Sequence, residues 1–347
     1  MYHFEKRSHG LTLVELLVAM VIGLVVLGGV YQIFRESTAT YRMQEGLSRL
    51  QENGRFALDF LVYDVRQAGY RGCITHGPMT NTLNNADSWT YNFNVGIQGY
   101  DNVGTSVSEL GNLSTLSGSD VIVIRTLLGD PVRIVKNNNS AQLFVEVTSN
   151  EPDACPGNKP QVSGLCEGDI LMVSDCVKSR VFQAGNIQVA SGELNVTHPA
   201  SGTPGNAISS WGGANAPAEE RFGPDAEIVK ISTIVYHVRD NFSLYRKVGA
   251  AAAEPLVDGV QTMQVLYGID TDGDRNINQY VTADSVGDWE SVRSVQIGLL
   301  MRTTDEIRDM EADDAVYNVL GTDFGPYNDR HLRRVFTATV GLRNRLR

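Results

Sequence analysis

MYHFEKRSHG (Met1–Gly10) followed by LTLVELLVAMVIGLVVLGGVYQIF (Leu11–Phe34) is the stretch on which the fold turns. The first part is polar, carries Lys6 and Arg7, and ends in Gly10. The second is predominantly apolar and is interrupted early by one acid, Glu15. At about 1.5 Å per residue, an apolar run of this length crosses a hydrocarbon core about 30 Å thick. The basic flank predicts a cytoplasmic N-terminus, with the rest of the chain on the far side. A secretory signal peptide is cut after its apolar segment. Here the small residue precedes that segment, so a cut at Gly10 keeps the hydrophobic helix. A carboxylate inside a span costs about 2.5–3.5 kcal/mol on insertion scales, so Glu15 needs a reason to be there.

Working outward, the chain turns polar at Arg35 but stays helix-compatible to about Ala68. Leu47, Leu50, Phe56, Ala57, Phe60, Leu61 and Val65 recur mostly at offsets of three and four, which puts most of them on one face. No proline occurs between residues 1 and 76. A single helix over 11–68 would be about 85 Å long, its first half against lipid or other subunits and its second half against a globular domain. Gly46 and Gly54 mark bends or close packing, and Gly69 and Gly72 mark the stop.

These residues resemble a known family. Gly10 followed by Leu-Thr-Leu-Val-Glu looks like the signal of type IV prepilins and pseudopilins. The resemblance implies a membrane prepilin peptidase that cuts after Gly10 and methylates the new amine of Leu11. Leu11 stands where the family usually has Phe. Glu15 becomes the fifth mature residue, an assembly group that pairs with the N-terminal amine of a neighbouring subunit. Glu52–Cys73 and the segment GDILMVSDC (Gly168–Cys176) resemble the PilW-like minor pilins. The implied organisation is a leader at 1–10, a membrane half of the helix at 11–34 and a periplasmic half at 35–70. A β-rich globular domain follows at 71–347. The implied location is the inner membrane, then the fibre and cell surface. The implied partners are other minor and major pilins, the peptidase, the inner-membrane assembly platform and lipid.

The rest of the chain reads as an α+β fold, the long helix packed on mostly antiparallel sheet. Residues 74–118 read as loops. Strand-like runs follow at Asp120–Thr126, Pro131–Val135, Leu143–Thr148, Asp169–Val173 and Arg180–Gln183. A second set lies at Ile228–Val238, Ser243–Lys247, Val260–Tyr267, Ser291–Thr303 and Arg334–Arg343. The Gly/Pro/Ala-rich Ser201–Pro224 is either a linker at a sub-boundary or a long surface loop.

Four cysteines, Cys73, Cys155, Cys166 and Cys176, match no zinc spacing. Outside the cytoplasm they predict two disulfides, with four buried thiols as the alternative. Three connectivities exist. Cys155 with Cys166 is favoured because it closes a short Pro/Gly-rich loop, which leaves Cys73 to tie the helix end to Cys176, a pairing that the PilW-like resemblance supports.

Asp270, Asp272, Asp274 and Asn276 alternate like the first ligands of a calcium loop. Arg275 stands where the sharp turn wants Gly, and Val281 where a bidentate Glu belongs; Asp284, Asp288 or Glu290 would have to substitute. A structural Ca²⁺ and a plain Asp/Asn-rich turn are both open, and no cofactor is required.

A net charge of −11 argues against nucleic acid as the main partner. The basic cluster Arg330, Arg333, Arg334, Arg343, Arg345 and Arg347 reads as solvated positions on and after a last strand, with a DNA-touching face as the other reading. No HExxH, GxSxG or Walker loop occurs among the residues, and the expectation is a structural subunit, not an enzyme. A minor pilin that helps start pilus assembly near the tip is the leading reading. The rivals are a J-type minor pseudopilin of type II secretion and a fibre-displayed adhesin whose site lies in the loops at 74–118 or 201–224.

Overall fold

A computed structural model describes residues 12–72, 77–308 and 310–345. One helix, Leu13–Arg66, runs unbroken for 54 residues, about 80 Å. Thr12 caps it, and Gln67 closes it. The stop falls at Gly69, whose φ of 68° is left-handed and whose amide donates to the Arg125 carbonyl at 2.8 Å.

The helix has two halves of different character. Its apolar side chains from Leu13 to Phe34 are all exposed. Beyond them Leu50, Gly54, Ala57, Leu61, Asp64 and Val65 are buried on one face. Full burial of a Leu such as Leu61 contributes about 1.5–3 kcal/mol. Gly54 is a place of close packing, not a bend: a Cβ there would lie 2.7 Å from the Phe336 ring.

That face rests on an antiparallel sheet of four strands, in the order Gln279–Val281, Val260–Ile269, Val292–Arg302, Arg333–Gly341. The register aligns Met263, Leu299 and Phe336, then Val265, Ile297 and Ala338. Paired residues share a face, and this one meets Leu50, Ala57, Leu61 and Val65 in one core. The opposite face is covered by the hairpin Tyr317–Val319 and Thr322–Phe324, since a Cβ at Gly298 would lie 2.6 Å from Val319.

The larger sheet has twelve strands and centres on Glu227–Val238. That strand pairs with Val121–Leu127, Val132–Lys136 and Ile170–Ser174, which precede Ser201–Pro224, and with Ser243–Val248, which follows it. The stretch at 201–224 is therefore neither a linker nor a sub-boundary. It folds back as a loop and sinks Trp211 and Phe222, each 1% exposed, into a second core with Phe182 and Leu194. Met79–Asn81 beside Ser179–Gln183 is a parallel pair; the other pairs described are antiparallel. Residues 74–118, read as loops, also contribute Ile97–Tyr100 to this sheet, paired with Val121–Leu127.

Cys155 and Cys166 are disulfide-bonded, with Cα atoms 5.7 Å apart across a separation of 11 residues. They staple the hairpin Asn150–Cys155 and Lys159–Val162. Closing so short a loop restricts the unfolded chain by about 2–3 kcal/mol. The double variant Cys155→Ser/Cys166→Ser is expected to melt several degrees lower than the parent by circular dichroism. An unchanged melting temperature would mean that the bridge constrains nothing the chain does not already restrict.

Candidate assembly site

The site begins at the helix N-terminus. Gly10 and Leu11, the expected cut and methylation positions, lie outside the described residues. Thr12 and Glu15 form a capping box. The Thr12 amide and hydroxyl both donate to Glu15 Oε2 at 2.9 Å, and the Glu15 amide donates to Thr12 Oγ1 at 3.3 Å. This reciprocal pattern satisfies two otherwise orphaned amides at the start of an apolar helix. Among the described residues the hydrogen bonds of Glu15 run to Thr12 alone, so its negative charge is not offset by a cation.

Past the membrane-length segment, three aromatics stay exposed on the side of the helix turned from the core. Phe56, Phe60 and Tyr63 are 51%, 44% and 66% exposed. Their spacing of four and three places them in one stripe.

The helix is locked to the globular domain by a buried acid that sequence reasoning passed over. Asp64 is 5% exposed and accepts from the Tyr236 hydroxyl at 2.6 Å. It also takes Arg246 through Nε at 3.1 Å and Nη2 at 3.0 Å. Burial, with Asp64 beside it, pushes the Tyr236 phenol well above its ordinary value. The Asp64 carboxylate, assisted by Tyr236, outweighs burial and raises the Arg246 guanidinium.

At the far end of the helix lies the acidic loop. Asp270, Asp272 and Asp274 bring carboxylate oxygens within 4.8 Å of one another. Asp270 is largely committed: Oδ1 accepts from the Gly273 amide at 2.7 Å, and Oδ2 from the Arg275 amide and Arg293 Nη2, each at 3.0 Å. Burial opposes ionisation of Asp270, but Arg293 and the Gly273 and Arg275 amides hold its carboxyl below the usual range. Asn276 turns both its backbone and side-chain nitrogens to Asp274, at 2.7 and 2.8 Å. The loop is thus a self-bonded turn whose first carboxylate already holds a cation, that of Arg293. A calcium ion would have to compete with it.

Cys176 is disulfide-bonded; Cys73, its expected partner, lies outside the described residues. Arg330, Arg334 and Arg343 are exposed, as solvated positions on and after the last strand should be, but Arg333 and Arg345 are not. The Arg333 side chain is 0% exposed and pairs with Asp313 at 2.9 Å and Asp329 at 2.6 Å. Arg345 is also drawn inward, donating to the Trp289 carbonyl, and burial lowers its guanidinium to about 10. The inward turn of Arg333 has a topological cause: the acids that hold it lie in an excursion between two strands, and no spacing rule links them to it.

Residues 234–344 match the family model described as Type IV Pilus-assembly protein W. Residues 6–31 match the model described as the prokaryotic N-terminal methylation motif. The first match covers the strands that carry Tyr236, Arg246 and Arg333, and the second covers Glu15 and the start of the exposed apolar helix. Comparison with curated proteins and with solved structures finds no match.

Proposed function

We propose that this chain, a PilW-like type IV pilin, serves as a minor pilin that helps initiate pilus assembly and is built into the fibre at or near its tip. The observation that carries this reading is the helix Leu13–Arg66. It offers a fully exposed apolar half, a carboxylate in its first turn without a cation among the described residues, and an exposed Phe56–Phe60–Tyr63 stripe. A carboxylate in hydrocarbon is costly and is stable only when paired. A methylated amine at the first mature residue of an adjoining subunit supplies the pairing charge, which draws Glu15 into register as the subunit leaves the membrane. The aromatic stripe continues the contact along the bundle, and the sheets face outward. The work of the protein is recognition between subunits and not catalysis. Before assembly the topology is single-pass, with the globular domain in the periplasm.

Intact mass of the protein from membranes and from sheared fibres tests the reading. The expected species is residues 11–347 plus one methyl group, with part of it in the sheared fraction. A full-length mass confined to membranes would reduce the protein to an ordinary anchored one. Glu15→Ala is expected to leave the membrane pool intact and to deplete the sheared fraction several-fold.

A further inference from the structure

Past the apolar segment, charge recurs along Leu13–Arg66 every seven residues. Arg35, Arg42 and Arg49 form one row, which Phe56 continues. Glu45, Glu52 and Asp59 form a second, which Arg66 continues. All of these side chains are exposed. Seven residues fall about 20° short of two full turns, so each row winds slowly and stays continuous. Each member of the first row lies ten positions before one of the second: Arg35 before Glu45, Arg42 before Glu52, Arg49 before Asp59 and Phe56 before Arg66. Every one of these matches is complementary. Three set a guanidinium against a carboxylate, and the fourth sets a guanidinium against an aromatic face.

The rows do not satisfy each other within one helix. Arg49 reaches Glu45 at 2.6 Å, an exposed pair one turn apart of the kind that contributes little. The side chains of Arg42, Glu52, Asp59 and Arg66 have no hydrogen bond or ion pair to a described residue.

We propose that the two rows are the halves of a contact between this chain and a second copy of it. The second helix lies parallel to the first and is displaced towards the membrane by ten residues, about 15 Å. A shared membrane fixes the direction, because both apolar halves enter it from the same side. The contact is therefore head-to-tail, between unlike faces. Neighbouring registers fit less well. A stagger of three keeps Arg42 with Glu45 and Arg49 with Glu52 but sets Phe56 against Asp59, and a stagger of seventeen sets Arg49 against Arg66. At about 100° per residue, a step of ten turns the contact face by about 80°, so successive copies are rotated by about 100°. Leu50, Ala57 and Leu61, which pack on the small sheet, lie opposite the acidic row. The domain of the second copy thus points away from the first. Each copy keeps one row for a further neighbour, so the contact does not close on a dimer but extends, as a fibre does. The inference rests on the minor-pilin reading for its setting and supplies that reading with a register. Glu15 takes no part in it.

The test is disulfide trapping in membranes between two differently tagged full-length copies, one carrying Arg42→Cys and the other Glu52→Cys. Cys155, Cys166 and Cys176 are already disulfide-bonded and do not compete. Mild oxidation is expected to join this pair several-fold more than Arg42→Cys with Arg42→Cys, or Arg42→Cys with Glu45→Cys. Equal yields overturn the stagger. Charge exchange gives a second reading. Glu45→Lys/Glu52→Lys/Asp59→Lys alone, and Arg35→Glu/Arg42→Glu/Arg49→Glu alone, are each expected to lose co-purification between two tags several-fold in detergent. Co-expressed, the two variants are expected to recover the parental level, which a folding defect would not do. Failure of the mixture to recover overturns the contact. A protein that reaches sheared fibres without favouring the 42–52 bond sinks the contact and leaves the minor-pilin reading standing. The 42–52 bond in a protein confined to membranes supports the contact and sinks the fibre reading.

Discussion

Arg333→Met is expected to cost about 3–5 kcal/mol of unfolding free energy, because it breaks a buried ion cluster and leaves its acids behind. The Arg333 side chain is fully enclosed. Nη1 donates to Asp313 Oδ2 at 2.9 Å and Asp329 Oδ1 at 2.6 Å, and Nη2 to Asp329 Oδ2 at 2.6 Å and Gln261 Oε1 at 3.2 Å. The guanidinium also lies 3.9 Å from the Tyr327 ring centroid. Asp313 and Asp329 belong to the excursion between Val292–Arg302 and Arg333–Gly341, so the cluster clamps that excursion onto the small sheet. Met fills the volume but offers no charge, and two carboxylates then face each other across an apolar side chain. The pH signature is specific. Hydrogen bonds from Arg333 hold the Asp329 carboxyl at about 2. A depressed folded value gives stability that is present above the unfolded value, about 3.9, and is lost as pH falls through about 2. The parent should therefore show an acid limb in this window that Arg333→Met lacks. Since Asp329 is partly open to solvent, the limb should be shallower than full burial would give. Chemical denaturation of the full chain in detergent at neutral pH measures the loss. A cost under about 1 kcal/mol would mean that the cluster breaks even against an apolar side chain.

Arg333 also marks where sequence reasoning stops. Two kinds of signal were legible. One was local chemistry with fixed spacing: Gly10, Leu11 and Glu15 before an apolar run, which pointed to the membrane helix and the family. The other was periodicity, which set Leu47, Leu50, Phe56, Ala57, Phe60, Leu61 and Val65 mostly on one inner face, where Leu50, Ala57, Leu61 and Val65 are buried but Leu47, Phe56 and Phe60 are exposed, and alternation, which placed strands close to Glu227–Val238 and Val292–Arg302. What stayed hidden was pairing at a distance. Asp64 and Arg246 are 182 positions apart, and nothing in either neighbourhood marks the other. Arg333 lay in a run of arginines that reads as a solvated face, yet the fold spends it inside. Ser201–Pro224 misled for a compositional reason: its Gly, Pro and Ala outweighed Trp211 and Phe222. Two large aromatics in a stretch with no strand pattern were the available sign that the loop packs inward. At the acidic loop, alternation of Asp270, Asp272 and Asp274 was visible, but not the guanidinium of Arg293, which arrives from the adjacent strand.

Asp64→Ala is expected to cost about 3 kcal/mol and to loosen the helix from the larger sheet. Asp64 gives Tyr236 a 2.6 Å acceptor and Arg246 two contacts near 3.0 Å. Tyr236 is 0% exposed, so once the carboxylate is gone its hydroxyl still accepts from Arg246 Nε at 3.1 Å but has only the Phe60 carbonyl, at 3.4 Å, to donate to. Arg246 keeps a charge with 28% of its side chain open to solvent, which holds the cost near the low end of what breaking a buried pair brings. Tyr236→Phe removes the hydrogen bond donated to Asp64 and the one accepted from Arg246, and should cost about 1.5–3 kcal/mol, since the Asp64–Arg246 pair itself is kept. Asp64→Asn keeps an acceptor but loses the charge, and should fall between Asp64→Ala and the parent. The order, read by denaturation of the full chain in detergent, separates a strut from a bystander: equal costs for Asp64→Ala and Tyr236→Phe would assign all the effect to the hydroxyl and none to Arg246. The consequence for assembly follows from position. Asp64 lies near the end of Leu13–Arg66, one turn past Phe60 and beside Tyr63, so a helix free to tilt at this joint presents its aromatic stripe at varying angles to the domain. Under the minor-pilin reading, Asp64→Ala should lower recovery in sheared fibres while leaving the membrane-bound protein at parental abundance. A drop in membrane abundance instead would place the defect in folding before assembly begins.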